Sequence, residues 1–185
     1  MTALACSHWT KEQVLALPPA DGTRFEVVAG ELLVTPMPPP THQRILGVLL
    51  MALADYLTPL GLVDTLLPGP ADISWSDDDL VRPDIFVVDP TDLSRDWATF
   101  KRFRLVIEVL SWPASQRADR GPKRRLYLEH GVETYWVVDP DTSAVEVWHP
   151  GDAEGTSITD TLTWRVSPEA PELRVSLAEA FRIVG

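Results

Sequence analysis

Residues 81–88 (VRPDIFVV), 104–111 (RLVIEVLS), 119–127 (DRGPKRRLY) and 133–139 (ETYWVVD) decide the reading of this chain. Two of the four are apolar, β-prone runs. Each carries one carboxylate, Asp84 and Glu108, that a hydrophobic strand has no packing reason to include. A charge among Ile, Phe, Leu and Val is costly, so each must be reached by solvent, ion-paired or metal-bound. The nearly unbroken apolar run 103–111 reads as a central strand buried on both faces. The polar segment bearing Lys123 reads as one helix, with Pro122 in its first turn and Gly131 as its stop. Strand, helix, strand then makes a right-handed crossover.

Upstream, TKEQVLAL (10–17) predicts a short helix behind a threonine cap, closed by Pro18 and Pro19. Runs from about Arg24 to Val28 and Glu31 to Thr35 predict a β-hairpin turning at Ala29-Gly30. After the stiff MPPPTHQ connector, Thr41 can cap a helix to about Leu57, with Ile45, Leu49, Ala52, Leu53 and Tyr56 as its buried stripe. VDTLL (63–67) and ADISW (71–75) read as strands, and Asp77 to Asp79 as a solvated hairpin tip. The ligand spacing and terminal glutamate of an EF-hand loop are missing there. Residues 90–101 form a polar connector. Downstream, ETYWVVDP and AVEVWHP pair around the DPDTS turn, DTLTWRV (160–166) reads as an edge strand, and SLAEAFRIV (176–184) as a terminal helix.

The length of 185 residues suits one domain, residues 1–185 with a core at about 24–150, and the 45% hydrophobic, 23% charged composition is that of an ordinary globular protein. A formal charge of -11 argues against a broad basic surface for nucleic acid, because such affinity comes mainly from Lys and Arg displacing counterions. The single cysteine, Cys6, excludes an intramolecular disulfide and a cysteine-cluster metal site. No apolar run approaches a bilayer span and the first residues lack the signal-peptide pattern, so a soluble, cytoplasmic protein is expected.

Two carboxylates on adjacent strands can point to one end of a sheet and hold a magnesium ion, with waters completing the octahedron. Such an ion stabilises charge on a phosphate and lowers the pKa of a bound water, and a nearby lysine, best supplied by Lys123, can orient that water or support its deprotonation. The structural alternative is a network of ion pairs. Arg117, Arg120, Lys123, Arg124 and Arg125 place five of the chain's 16 basic residues within nine positions, a local cluster able to contact phosphates or to serve as a solvated helix face.

These segments carry a resemblance. PD at 83–84, IEVLS at 107–111, the D-x-x-x-K-x-x-x-Y spacing at 119–127, GVETYWVVDP at 131–140 and, upstream, RFEVVAGELLVTPMPPPTHQRI resemble the Uma-two family of restriction endonuclease-like proteins, within the PD-(D/E)XK nuclease superfamily. The resemblance spans about Arg24 to Pro150 and implies an α/β fold: a restriction-endonuclease-like core, a mixed β-sheet flanked by helices, with an N-terminal β-hairpin. By it, Asp84 matches the aspartate of the PD pair and Glu108 the acid of the second half-motif. Residue 110, on the same strand face as Glu108, is where the superfamily usually carries its lysine, and here it is Leu110. Lys123 resembles the lysine that some branches carry on the following helix. Glu26 and His42 match the upstream pattern as site-lining residues, beside the alternatives of a hairpin charge and a first-turn residue. Asp72 is a further acidic candidate, and Tyr127 lies one turn after Lys123 and can hold its side chain.

The resulting expectation is an Mg2+-dependent (or Mn2+-dependent) endonuclease hydrolysing DNA, with Asp84 and Glu108 on the metal and Lys123 assisting the water. A homodimer follows from that expectation, since a two-fold pair cuts two strands most simply. The competing expectation is a catalytically inactive protein of the same fold acting as a binding or assembly module.

Overall fold

The computed structural model describes residues 8–18, 21–93 and 96–182. The readings placed on Cys6 and the first residues, on Pro19 and on Ile183 and Val184 lie outside the described residues. Thr10 accepts a hydrogen bond from the Gln13 N–H and starts α1 (Lys11–Leu15). β1 (Thr23–Val28) and β2 (Glu31–Pro36) form the expected antiparallel hairpin. Its turn residues Ala29 and Gly30 both have positive φ (50° and 76°), which is what a two-residue hairpin turn demands and why glycine stands there.

α2 (Pro40–Leu57) begins one residue before Thr41, which falls inside the first turn rather than capping it. Pro40 brings a preset φ and has no N–H to leave unsatisfied. The buried stripe is His42, Ile45, Leu49, Leu53 and Leu57, whereas Ala52 and Tyr56 sit half-buried beside it.

The main sheet comprises β3 (Leu66–Pro68), β4 (Ile85–Val88), β5 (Phe103–Val109), β6 (Tyr135–Asp139), β7 (Ala144–Trp148) and β8 (Thr156–Ile158), in that spatial order. β5 and β6 are parallel and the other neighbours antiparallel, so the sheet is mixed, with β5 at its interior. The connection between β5 and β6 holds two helices, α3 (Pro113–Arg120) and α4 (Pro122–Glu129), where the sequence suggested one. Gly121 breaks them apart: a Cβ there would lie 2.7 Å from the Arg117 carbonyl oxygen.

Several β-like runs were shortened by tertiary context. VDTLL contributes only β3, after a 3-10 turn at Val63–Thr65, and ADISW only the Ile73–Val81 bridge. In DTLTWRV, β9 (Thr161–Trp164) leaves the main sheet and pairs with β10 (Leu173–Ser176), followed by α5 (Leu177–Phe181). The acidic turn is solvated at Asp77, as expected, but docked through Asp79. Asp79 is buried and accepts the Ala29 N–H at 3.0 Å, while Asp77 lies 3.0 Å from Lys11 and Asp78 2.8 Å from His8. Its carboxylates satisfy donors of the hairpin turn and of the α1 end.

One face of the sheet buries Ile85, Leu105, Ile107, Val109, Trp136 and Val138 against α2 and α5. The other buries Phe86, Val106, Leu110, Tyr135 and Val137 against Leu126 and Tyr127 of α4. Leu53 is 1% exposed and Met51, two residues earlier, is 62% exposed. Leu53→Ala is therefore expected to cost about 2–5 kcal/mol in urea denaturation, and Met51→Ala no more than about 0.5 kcal/mol.

Candidate functional site

The β4–β5 register sets Ile85 opposite Ile107, and one further residue sets Asp84 opposite Glu108. Ile85 and Ile107 face α2, so side-chain alternation sends Asp84 and Glu108 to the face covered by α4. Asp84 lies just ahead of β4, its backbone gripped from both sides. Its N–H donates to the Ile107 carbonyl at 3.2 Å, and its carbonyl accepts the Gly69 N–H at 2.8 Å. Gly69 fits because a Cβ there would lie 2.2 Å from the Pro83 carbonyl oxygen. The Asp84 side chain accepts the Val109 N–H at 2.9 Å, which ties it to the strand beside Glu108.

Lys123, in the first turn of α4 and 2% exposed, reaches this same point. Its Nζ lies 2.8 Å from Glu108, 3.0 Å from Glu26 on β1 and 3.2 Å from Asp119 at the end of α3. Tyr127, one turn on, donates its hydroxyl to Glu108 at 2.8 Å and so holds the carboxylate that pairs with Lys123. Leu110 is packed among apolar residues of that face, and the amine next to Glu108 comes from the helix.

Electrostatics follow from this crowding. Burial alone would push the Lys123 ammonium down, but Glu108, Glu26 and Asp119 outweigh it and hold its pKa well above the usual lysine range. At neutral pH Lys123 is therefore a donor and cannot accept a water proton. Burial pushes Glu108 well up, against the pull of Lys123 and with the help of Asp119, Asp84 and Glu26. Asp119 is raised to about 6, chiefly by burial. Burial also pushes Asp84 up, yet His42, Arg24 and the Val109 N–H together hold it below the ordinary value.

Glu26, His42, Asp84, Glu108, Asp119, Lys123 and Arg24 line one pocket with about 20 Å³ of free space, room for about one water or one bare ion. Four carboxylates face two permanent cations, which leaves two formal negative charges. Among the described residues no three His, Cys, Asp or Glu side chains form a ready-made metal cage. Hard carboxylate oxygens from Asp84 and Glu108, with a charge deficit that suits a divalent cation, are nevertheless the donor chemistry of a divalent-ion site.

Other expected residues fall outside this pocket. Asp72 is bonded to Arg82 at 2.6 Å and lines the adjoining cleft with Arg24 and Asp84. Arg120 is tied to Glu146 (2.7 Å) and Asp139 (2.6 Å), and Arg124 lies 4.0 Å over the Trp148 ring. Arg117 and Arg125 are exposed.

A family model described as "Uma2: Putative restriction endonuclease" matches residues 11–178. The chain belongs to this family. No curated protein matches it. Its fold is similar to the crystal structure of "a putative nuclease belonging to DUF820" from Anabaena variabilis, with a TM-score of 0.72, 23% identity, and coverage of 94% of this chain and 97% of that one.

For an Uma2 chain, two pocket residues were missed in the sequence. Asp119 was visible as the first position of D-x-x-x-K, four residues before Lys123, a spacing that survives the Gly121 break. Arg24, whose Nη1 lies 3.4 Å from Asp84, carried no signal beyond being a polar residue at a strand start.

Because the folded pKa of Asp119 is raised to about 6, the folded state binds a proton that the unfolded chain has lost above about pH 4. That contribution is fully present below the unfolded value and disappears as pH rises through 6. Asp119→Asn, which mimics the protonated form, should therefore gain melting temperature relative to the metal-free wild type between pH 4.5 and 7. A difference that stays constant across this range, read by calorimetry, would contradict the assignment.

Proposed function

We propose that this chain is a divalent-metal-dependent endonuclease, Mg2+ or Mn2+ being the ion, that hydrolyses phosphodiester bonds in DNA as a single-domain, cytoplasmic homodimer. The observation that carries the reading is the meeting of Asp84, Glu108 and Lys123 in one pocket from two adjacent strands and the following helix. Family membership supports it.

In this reading Asp84 and Glu108 hold the ion, which would supply charge stabilisation at the scissile phosphate and a water of lowered pKa. The Val109 N–H orients Asp84, and the Tyr127 hydroxyl fixes Glu108. Lys123, a permanent ammonium here, donates to the attacking water or to a phosphate oxygen and stabilises developing negative charge. Proton removal falls to a group other than Lys123. Arg117 on α3 and Arg125 on α4 are exposed and are phosphate contacts available without breaking an internal pair.

One observation favours a second reading, a catalytically inactive fold used for binding or assembly. The three carboxylates around Lys123 engage all the donors an ammonium has. Plasmid cleavage in millimolar Mg2+ or Mn2+ separates the two. Wild type is expected to cut, and Asp84→Ala and Glu108→Ala to lose on the order of 10²-fold or more. Equal activity in all three rules out the enzyme assignment. Melting temperature should rise on adding millimolar metal to wild type, and no rise would favour the structural ion network.

A further inference from the structure

We propose that His42 is a protein ligand of the divalent ion beside Asp84, and that its imidazole makes the site select Mn2+-class transition ions over Mg2+. This rests on the reading that Asp84 holds an ion.

His42 sits in the first turn of α2, 3% exposed. Neither of its ring nitrogens has a hydrogen-bond partner among the described residues. A buried imidazole always carries at least one N–H or lone pair that costs free energy when unpaired, and the contact its Nε2 makes with Asp84 falls short of a well-aligned hydrogen bond. It lines the pocket that also holds Asp84 and Glu108, and its Nε2 stands 3.4 Å from Asp84 Oδ1 without the alignment of a hydrogen bond.

That spacing has a chemical reading. A charge-assisted hydrogen bond between such groups closes to about 2.8 Å. Two donors each about 2.1 Å from one ion lie about 3.0–3.4 Å apart, for angles from octahedral to tetrahedral. The pair is spaced as two ligands of one centre, with Nδ1 carrying the ring hydrogen. Arg24, whose Nη1 approaches the same Asp84 oxygen at 3.4 Å, is the neighbour that must yield.

Donor chemistry then sets the choice of metal. Mg2+ takes oxygen ligands and dehydrates reluctantly, whereas imidazole suits the first-row transition ions. A carboxylate pair alone would leave the two classes closer in affinity; the added imidazole separates them.

The test compares wild type, His42→Gln and Asp84→Asn. Mn2+ affinity is read from the electron paramagnetic resonance of free Mn2+, and Mg2+ affinity by calorimetry. Wild type should bind Mn2+ about 10-fold or more tightly than Mg2+, and His42→Gln should lose about 10-fold in Mn2+ affinity while Mg2+ affinity changes less than about 2-fold. The ring 15N resonances of His42 should also shift when diamagnetic Zn2+ is added to wild type, a readout that stands even where His42→Gln does not fold. Unchanged Mn2+ affinity in folded His42→Gln, or unshifted His42 nitrogens while Asp84→Asn abolishes binding, overturns the role of His42 and leaves the carboxylate site intact. Absence of Mn2+ binding in wild type, or binding indifferent to Asp84→Asn, overturns the metal site and the inference together.

Discussion

A single buried ammonium holds the candidate site of this molecule together. Lys123 draws in Glu26 from the hairpin, Glu108 from the interior of the main sheet and Asp119 from the preceding helix, all three nearly as buried as the lysine itself. None of these carboxylates would be tolerated in that position without a counter-charge, and the ammonium would not be tolerated without them. The placement of the β1–β2 hairpin over the sheet, the break at Gly121 and the packing of α4 through Tyr127 are all arranged so that this one contact can close. Glu26 gains a second anchor from the Arg82 N–H at 2.7 Å, which ties the hairpin to the segment leading into β4.

The cluster is nonetheless short of positive charge. The raised carboxyls of Glu108 and Asp119 express that deficit, and a proton and a divalent ion are alternative ways of meeting it. Elsewhere the arginines are matched to acids: Arg82 to Asp72, Arg104 to Asp89 and Glu133, Arg120 to Asp139 and Glu146. With a formal charge of -11 and so many cations committed to ion pairs, the proposed binding to a phosphate backbone would have to rely on local contacts rather than on a broad basic face.

The α/β architecture was legible because long-range patterning states it directly. Unbroken apolar runs gave β4, β5 and β6, and the four-residue spacing from Ile45 gave α2. Asp84 and Glu108 stood out because charge among β-branched residues needs a reason, and Lys123 stood out through its resemblance to the family motif. What stayed hidden depended on tertiary contact. The single helix expected over 119–131 splits because a side chain at Gly121 has no room beneath Arg117, a fact of the folded chain. VDTLL and ADISW have strand composition but little partner backbone to pair with. Asp79 looked like a solvated turn residue, and only the docked hairpin turn reveals the N–H it satisfies. The arginine cluster at 117–125 was one feature in sequence and is two in space, since Arg120 and Arg124 are engaged by Glu146 and Trp148.

The sequence distances within the Lys123 cluster also bear on the order in which the chain assembles. Glu26 and Lys123 come from opposite ends of the core, so their contact closes a long loop whose entropy cost must be met by other contacts first. The hairpin, the β4–β5 pairing and the helix pair can each form from nearer neighbours, which favours late closure of the ion cluster. Interactions made after the rate-limiting step leave the folding rate nearly untouched and act on the rate of unfolding. On that order the buried lysine is a latch on the lifetime of the native state, set at the candidate site.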